Sequence, residues 1–178
     1  MTDPVREQFD LTWSLAEYHL DRLTDDDLTW VPAPLHWTVH EGPDGLLRPD
    51  LSTDLAEPDP VPAPTVAWIA WHLLWWWGTA LDELTGVPRR ERDDVVCPRT
   101  ADGVGAALRA LAAAWSDALD GAAGPRRDEP VGFPWPEGRT VAALVAWAHA
   151  ELMKNVAELG QLRLLRAAGA SGHGTVSR

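Results

Sequence analysis

Four residues carry side chains suited to chemistry. Three of them, Glu151, Asn155 and Glu158, follow one another at i, i+4 and i+7 in ELMKNVAE, a spacing that lays two carboxyls and an amide along one stripe of a helix. The fourth is His72, in TVAWIAWHLLWWWGTALDELTG, a segment that holds five of the eleven tryptophans. Carboxylates and imidazoles projecting inward from facing helices are how bundles build metal sites, and an imidazole in an apolar setting can also carry a proton. Each residue has a plainer alternative. His72 equally reads as a core histidine satisfied by one hydrogen bond, and Glu151 and Glu158 flank Lys154 as they would on a solvated face. His149 lies about 200° from Glu151 around the same helix, outside that stripe. His19 reads as a surface or packing residue, and His36 and His40 as loop residues.

The elements that must position these groups are bounded by sequence punctuation. Thr65 is an N-cap candidate, Gly86 a C′ residue, and Pro88 blocks continuation. On this helix Trp68, Trp71, His72, Trp75 and Thr79 share one face, and Ile69, Leu73, Trp77, Ala80 and Leu84 cover the other side. A helix apolar all round needs cover on more than one side, which leads to the expectation of a homodimer built partly on it. A membrane span is not expected: tryptophan prefers the interface, a mid-span histidine is costly, and Asp82 and Glu83 follow where basic residues would anchor.

Asp3 and Pro4 open a first helix expected over Pro4 to Arg22, and Thr24 with Asp27 predicts a capped turn through Trp30. From Val31 to Pro64 the density of proline excludes a helix. Trp37, Val39, Leu46, Leu47 and Leu51 give this stretch anchors on the body of the domain. A third helix is expected from Thr100 or Asp102 to Leu119, with Val104, Leu108, Leu111 and Trp115 on one face. A second Pro/Gly-rich link follows, anchored by Phe133 and Trp135. The last helix runs from Thr140 to Ala168. The pattern predicts an all-α four-helix bundle with a long crossover between helices 1 and 2, a single domain over residues 1–168, and a flexible tail over residues 169–178.

A chain of 178 residues is long enough for one full core. Its net charge of −12 argues against nucleic acid as a partner, since no stretch concentrates basic residues. A single cysteine, Cys97, cannot form an intrachain disulfide, and MTDPVREQFD lacks the order of a secretory signal; the expected location is cytoplasmic. There is no glycine-rich phosphate loop and no nucleophile elbow.

The first helix followed by RLTDDDLTW, the loop ending in PAPTVAWIAWHLLWWW, and the last helix reading ELMKNVAELGQLRLL together resemble the DinB-like superfamily, which includes mycothiol-dependent maleylpyruvate isomerase. The resemblance implies a four-helix bundle, often homodimeric, with a divalent metal, typically zinc or nickel, held by a histidine of helix two and a pair spaced i, i+4 on the last helix. On this chain those positions are His72, Glu151 and Asn155, in a pocket walled by Trp68, Trp75 or Trp76. Asn155 stands where the family pattern has histidine. The implied function is a metal- and low-molecular-weight-thiol-dependent transferase or isomerase, in which the metal would hold the thiol as thiolate beside an electrophile. The alternatives are a non-catalytic, small-molecule-binding or stress-associated bundle that has lost the metal, and a bundle whose tryptophans serve only as a dimer interface.

Overall fold

The computed structural model describes residues 3–49, 58–122, 126–136 and 138–172. Four long helices form the bundle: α1 (Pro4–Leu20), α3 (Val66–Thr85), α4 (Ala101–Ala122) and α5 (Val141–Gly172), with a short α2 (Asp25–Thr29) after α1. Their starts follow from the side chains foreseen to cap them. Asp3 accepts from the backbone N–H of Val5 with Pro4 at the first helical position, and Thr24 and Asp27 satisfy each other's backbone donors in a full capping box. Thr65 caps α3, which ends on Gly86 in the left-handed conformation at φ 74°. At α4, the Thr100 hydroxyl accepts from Gly103.

The core lies where α3 meets α4 and α5 and where α1 meets α5. Ile69, Ala70, Trp71, Leu73, Trp77 and Ala80 from α3 are buried in it together with Val104, Leu108 and Trp115 from α4 and Leu144, Ala148 and Leu152 from α5. Both sides of α3 are thus covered within one chain, leaving Trp68 and Trp75 partly buried against the core. Among the described residues no helix is long and apolar enough to cross a membrane.

The crossover is more ordered than its sequence suggests. Within it β2 (Val39–Glu41) and β3 (Leu47–Pro49) form an antiparallel hairpin, and β1 (His36–Trp37) pairs in parallel with β4 (Ala63–Pro64) just before α3 begins. Segments of two or three residues carry no readable alternation, which is why no strand is expected there. Trp37 stacks on Trp68 with ring centroids 4.9 Å apart, and Val39 and Leu47 pack on the core. Leu46 does not anchor; it is exposed at the hairpin turn, beside Gly45 with φ 78°. Leu51 lies outside the described residues. A third pair, β5 (Pro130–Val131) with β6 (Arg139–Thr140), closes the link into α5.

Two helix ends differ from expectation. α1 stops at Leu20, short of Arg22, because Asp21 takes up the C-cap and the chain must turn into α2. α5 continues past Ala168 to Gly172, since the alanine-rich AAGA sequence favours helix and no proline stops it; of the expected tail, residues 173–178 lie outside the described residues.

One close approach fixes how α1 lies on α5. His19 is buried, and its ring sits against Gly160 so closely that a Cβ there would run into the imidazole. Gly160→Ala therefore sets a helix-propensity gain of about 1 kcal/mol against overpacking of about 1–3 kcal/mol. The expected outcome is a net loss in thermal melting, and a raised Tm would mean that His19 has room to withdraw.

Candidate functional site

The two stripes foreseen to face each other do so through one tryptophan. Trp76 on α3 donates from its indole Nε1 to the side-chain oxygen of Asn155 on α5 at 3.0 Å, and its ring lies 6.5 Å from that of His72. His72, Trp76 and Asn155 therefore belong to one locality. Glu151, one turn before Asn155, forms an ion pair with Lys154 at 2.7 Å, and the Lys154 ammonium acts on His72.

His72 sits between rings. Trp68, one turn earlier, stacks on it at 4.8 Å and 17°, and Trp75 lies 5.9 Å away at 55°. Its Nδ1 is shielded from solvent and has no hydrogen-bond partner, as is the Nε1 of Trp68. Burial, and secondarily the Lys154 ammonium, lower the His72 pKa to about 4, so the ring is neutral at pH 7. The helix that presents it is positioned by the Thr65 cap at one end. At the other, Asp82 accepts two guanidinium bonds from Arg90, each at 2.8 Å, and the guanidinium lies across Gly78, where a Cβ would run into it.

Asn155 is 2 % exposed and both ends of its amide are engaged: the oxygen accepts from Trp76 and the nitrogen donates to Glu158 at 2.9 Å. A cation at this locality would meet one unpartnered imidazole nitrogen, a carboxylate already paired with an ammonium, and an amide oxygen already accepting. Zinc and nickel favour imidazole or thiolate over a neutral amide, so the donor set as arranged does not fit either. Among the described residues no three His, Cys, Asp or Glu side chains gather as a metal-binding group.

The aromatic wall extends beyond the residues expected. Trp147 packs edge-on against Trp76 at 5.2 Å and in turn receives Phe133 and Trp135 at 5.7 and 5.8 Å. Trp147 lies one turn before Glu151, on the stripe that continues to Asn155 and Glu158, so helical spacing alone could have included it. The link anchors Phe133 and Trp135 behave as foreseen.

The remaining polar groups with chemical potential lie elsewhere. His149 is 1 % exposed on the opposite side of α5, as its angular position predicts. It stacks on Phe9, and its Nε2 accepts from Trp115 Nε1 at 3.2 Å. Since an indole N–H can only donate, the neutral ring carries its proton on Nδ1, which has no partner; burial lowers its pKa to about 4. Cys97 is buried, its thiol donating to the carbonyls of Ala67 and Pro98, and burial raises its pKa to about 12. It is no nucleophile near neutral pH.

A bundle of four antiparallel-type helices with a long first crossover, and with a histidine of its second long helix set near a polar stripe on its last, defines a helical-bundle class with a helix-to-helix site. A sequence profile of the DinB superfamily matches residues 46–159, nearly two thirds of the chain, and the chain belongs to that superfamily. No curated protein matches it.

Proposed function

We propose that the chain is a metal-free, small-molecule-binding member of the DinB superfamily, whose binding surface is the aromatic ladder around His72. The half-buried rings of Trp75 and Trp147 offer stacking area, Trp68 already stacking on Trp37 and His72, and the Glu151–Lys154 pair supplies polar contacts beside it. The observation that carries this reading is the commitment of Asn155: its amide closes a Trp76–Asn155–Glu158 chain of hydrogen bonds that a metal ligand would have to abandon, leaving a buried indole N–H unsatisfied. A planar aromatic ligand suits the ladder, because ring faces accept flat partners with little loss of side-chain freedom. A cytoplasmic setting is part of the reading, as is the absence of any need for a second copy of the chain, since α3 is covered on both sides by its own bundle.

The competing reading is a metal- and thiol-dependent transferase or isomerase with His72, Glu151 and Asn155 as ligands of zinc or nickel. The unpartnered Nδ1 of His72 favours it. Elemental analysis of untagged protein, dialysed against micromolar zinc and nickel and then against buffer, separates the two. The expected result is far less than one equivalent of either metal. A stoichiometric metal would overturn the metal-free reading in favour of the transferase or isomerase.

A further inference from the structure

One cleft on this protein shares no lining residue with the surface around His72. It opens where the start of α1, the end of α4 and the start of α5 come together, with a volume of about 430 Å³. That lies within the range of about 300–1,000 Å³ typical of small-molecule sites. Its walls are mostly aliphatic: Leu119 from α4, Val141 and Val145 from α5, and Val5 from α1. Val5 is 42 % exposed, an apolar side chain at the rim.

The polar groups of the cleft are few and unequal. Arg6 is committed, donating to the backbone oxygen and hydroxyl of Ser116 and pairing with Asp10. Asp3 is committed as the α1 cap through its bond from Val5. Arg127 is different. Its backbone oxygen accepts from Ala142 at 3.1 Å, which ties it to the first turn of α5, yet among the described residues no carboxylate pairs with its guanidinium. Arg127 is exposed, and a guanidinium without a carboxylate partner at the edge of an apolar cleft can take an anion from outside.

We propose that this cleft binds a small monocarboxylate with an extended apolar body, of the medium-chain fatty acid type. The carboxylate pairs with Arg127, where a planar fork of donors matches its two oxygens, and the positive end of the α5 dipole adds to the attraction. The apolar body lies along Val5, Ala142 and Ala146, the lining residues that keep apolar surface exposed, and removes that surface from water. A dianion such as a phosphate monoester suits the site less well, because Asp3 repels the second charge. The cleft shares no residue with the surface around His72, so the proposal holds or fails independently of the metal question.

Isothermal titration of the full chain with decanoate, and separately with decanol, both below their aggregation limits, tests it. Decanoate is expected to bind with saturation near one equivalent, and decanol at least about tenfold more weakly, the usual effect of losing a charge-assisted hydrogen bond. Arg127→Gln, at an exposed position, should weaken decanoate by a similar factor without affecting decanol. Ala146→Phe, also exposed on the α5 wall, should fill the cleft and abolish both. Circular dichroism and melting confirm that each variant is folded. The absence of saturable decanoate binding, equal affinity for decanol, an unchanged decanoate affinity in Arg127→Gln, or binding that survives Ala146→Phe would each overturn the proposal.

Discussion

The double substitution Lys154→Ala, Asn155→His is expected to bind zinc or nickel at least about a hundredfold more tightly than the natural chain, on the scale set by changes to metal-site residues. The natural set lacks two things, and the variant supplies both. Removing the ammonium frees the Glu151 carboxylate from its 2.7 Å partner and removes a positive charge that acts on His72. Replacing the amide of Asn155 by imidazole gives a two-histidine, one-carboxylate set, which is an established zinc arrangement with an open fourth position. The change has a cost: Trp76 loses its acceptor and Glu158 its donor, about 1–3 kcal/mol for a buried group left unsatisfied. A competitive chelator titration reads the affinity, and melting with and without metal reads whether binding recovers that stability. Either single variant should gain less than the double. If the double variant gains nothing, His72 and position 155 do not present their nitrogens to a common point, and the obstacle to metal binding is geometric rather than chemical.

How much of this was legible in the sequence varied with the physics of each element. The long helices were readable because their caps are local: Asp3, Thr24, Thr65 and Gly86 act within three or four residues of themselves, and a side chain that bonds its own neighbours announces the boundary. The hairpin of β2 and β3 was not readable, because three-residue strands held by pairing across a turn leave no periodic trace. At the site, angular position correctly separated His149 from Glu151. What spacing could not give was the partner of Asn155, since a bond to Trp76 spans 79 positions of chain and depends on the height at which α3 and α5 meet. The same holds for Lys154, which the sequence offers as a solvent-facing neighbour of Glu151; only the packing of α5 on α3 brings its charge to bear on His72.

Stability is expected to fall steeply between about pH 6.5 and pH 4, before most carboxylates titrate, and His149→Gln should remove roughly half of that fall. Both His149 and His72 have folded-state pKa values near 4, lowered from 6.5 chiefly by burial. For a basic group held below its ordinary value, the unfolded chain takes up a proton more readily than the folded one, so acid favours unfolding. The loss begins as pH drops through 6.5, where unfolded histidine protonates, and levels off below 4, where the folded rings protonate too. A shift of this size corresponds to at most about 3 kcal/mol for each ring, against a typical total of about 5–15 kcal/mol for a domain. The ion-paired or hydrogen-bonded acids behave differently. Asp27, Asp82 and Glu83 have pKa values lowered, against the opposing effect of burial, by their Thr24, Arg90 and Arg89 partners; their contribution is lost only as the pH falls from the ordinary carboxylate values toward the lowered ones, so the two windows barely overlap. Glutamine at 149 keeps an oxygen to accept from Trp115 Nε1 and takes up no proton, which separates titration from packing in a way that alanine would not. Chemical denaturation at half-unit intervals from pH 7 to pH 4 gives the profile. A flat profile in the natural chain would mean that water reaches both rings, and an unchanged slope in His149→Gln would assign the acid response to His72 beneath its tryptophans.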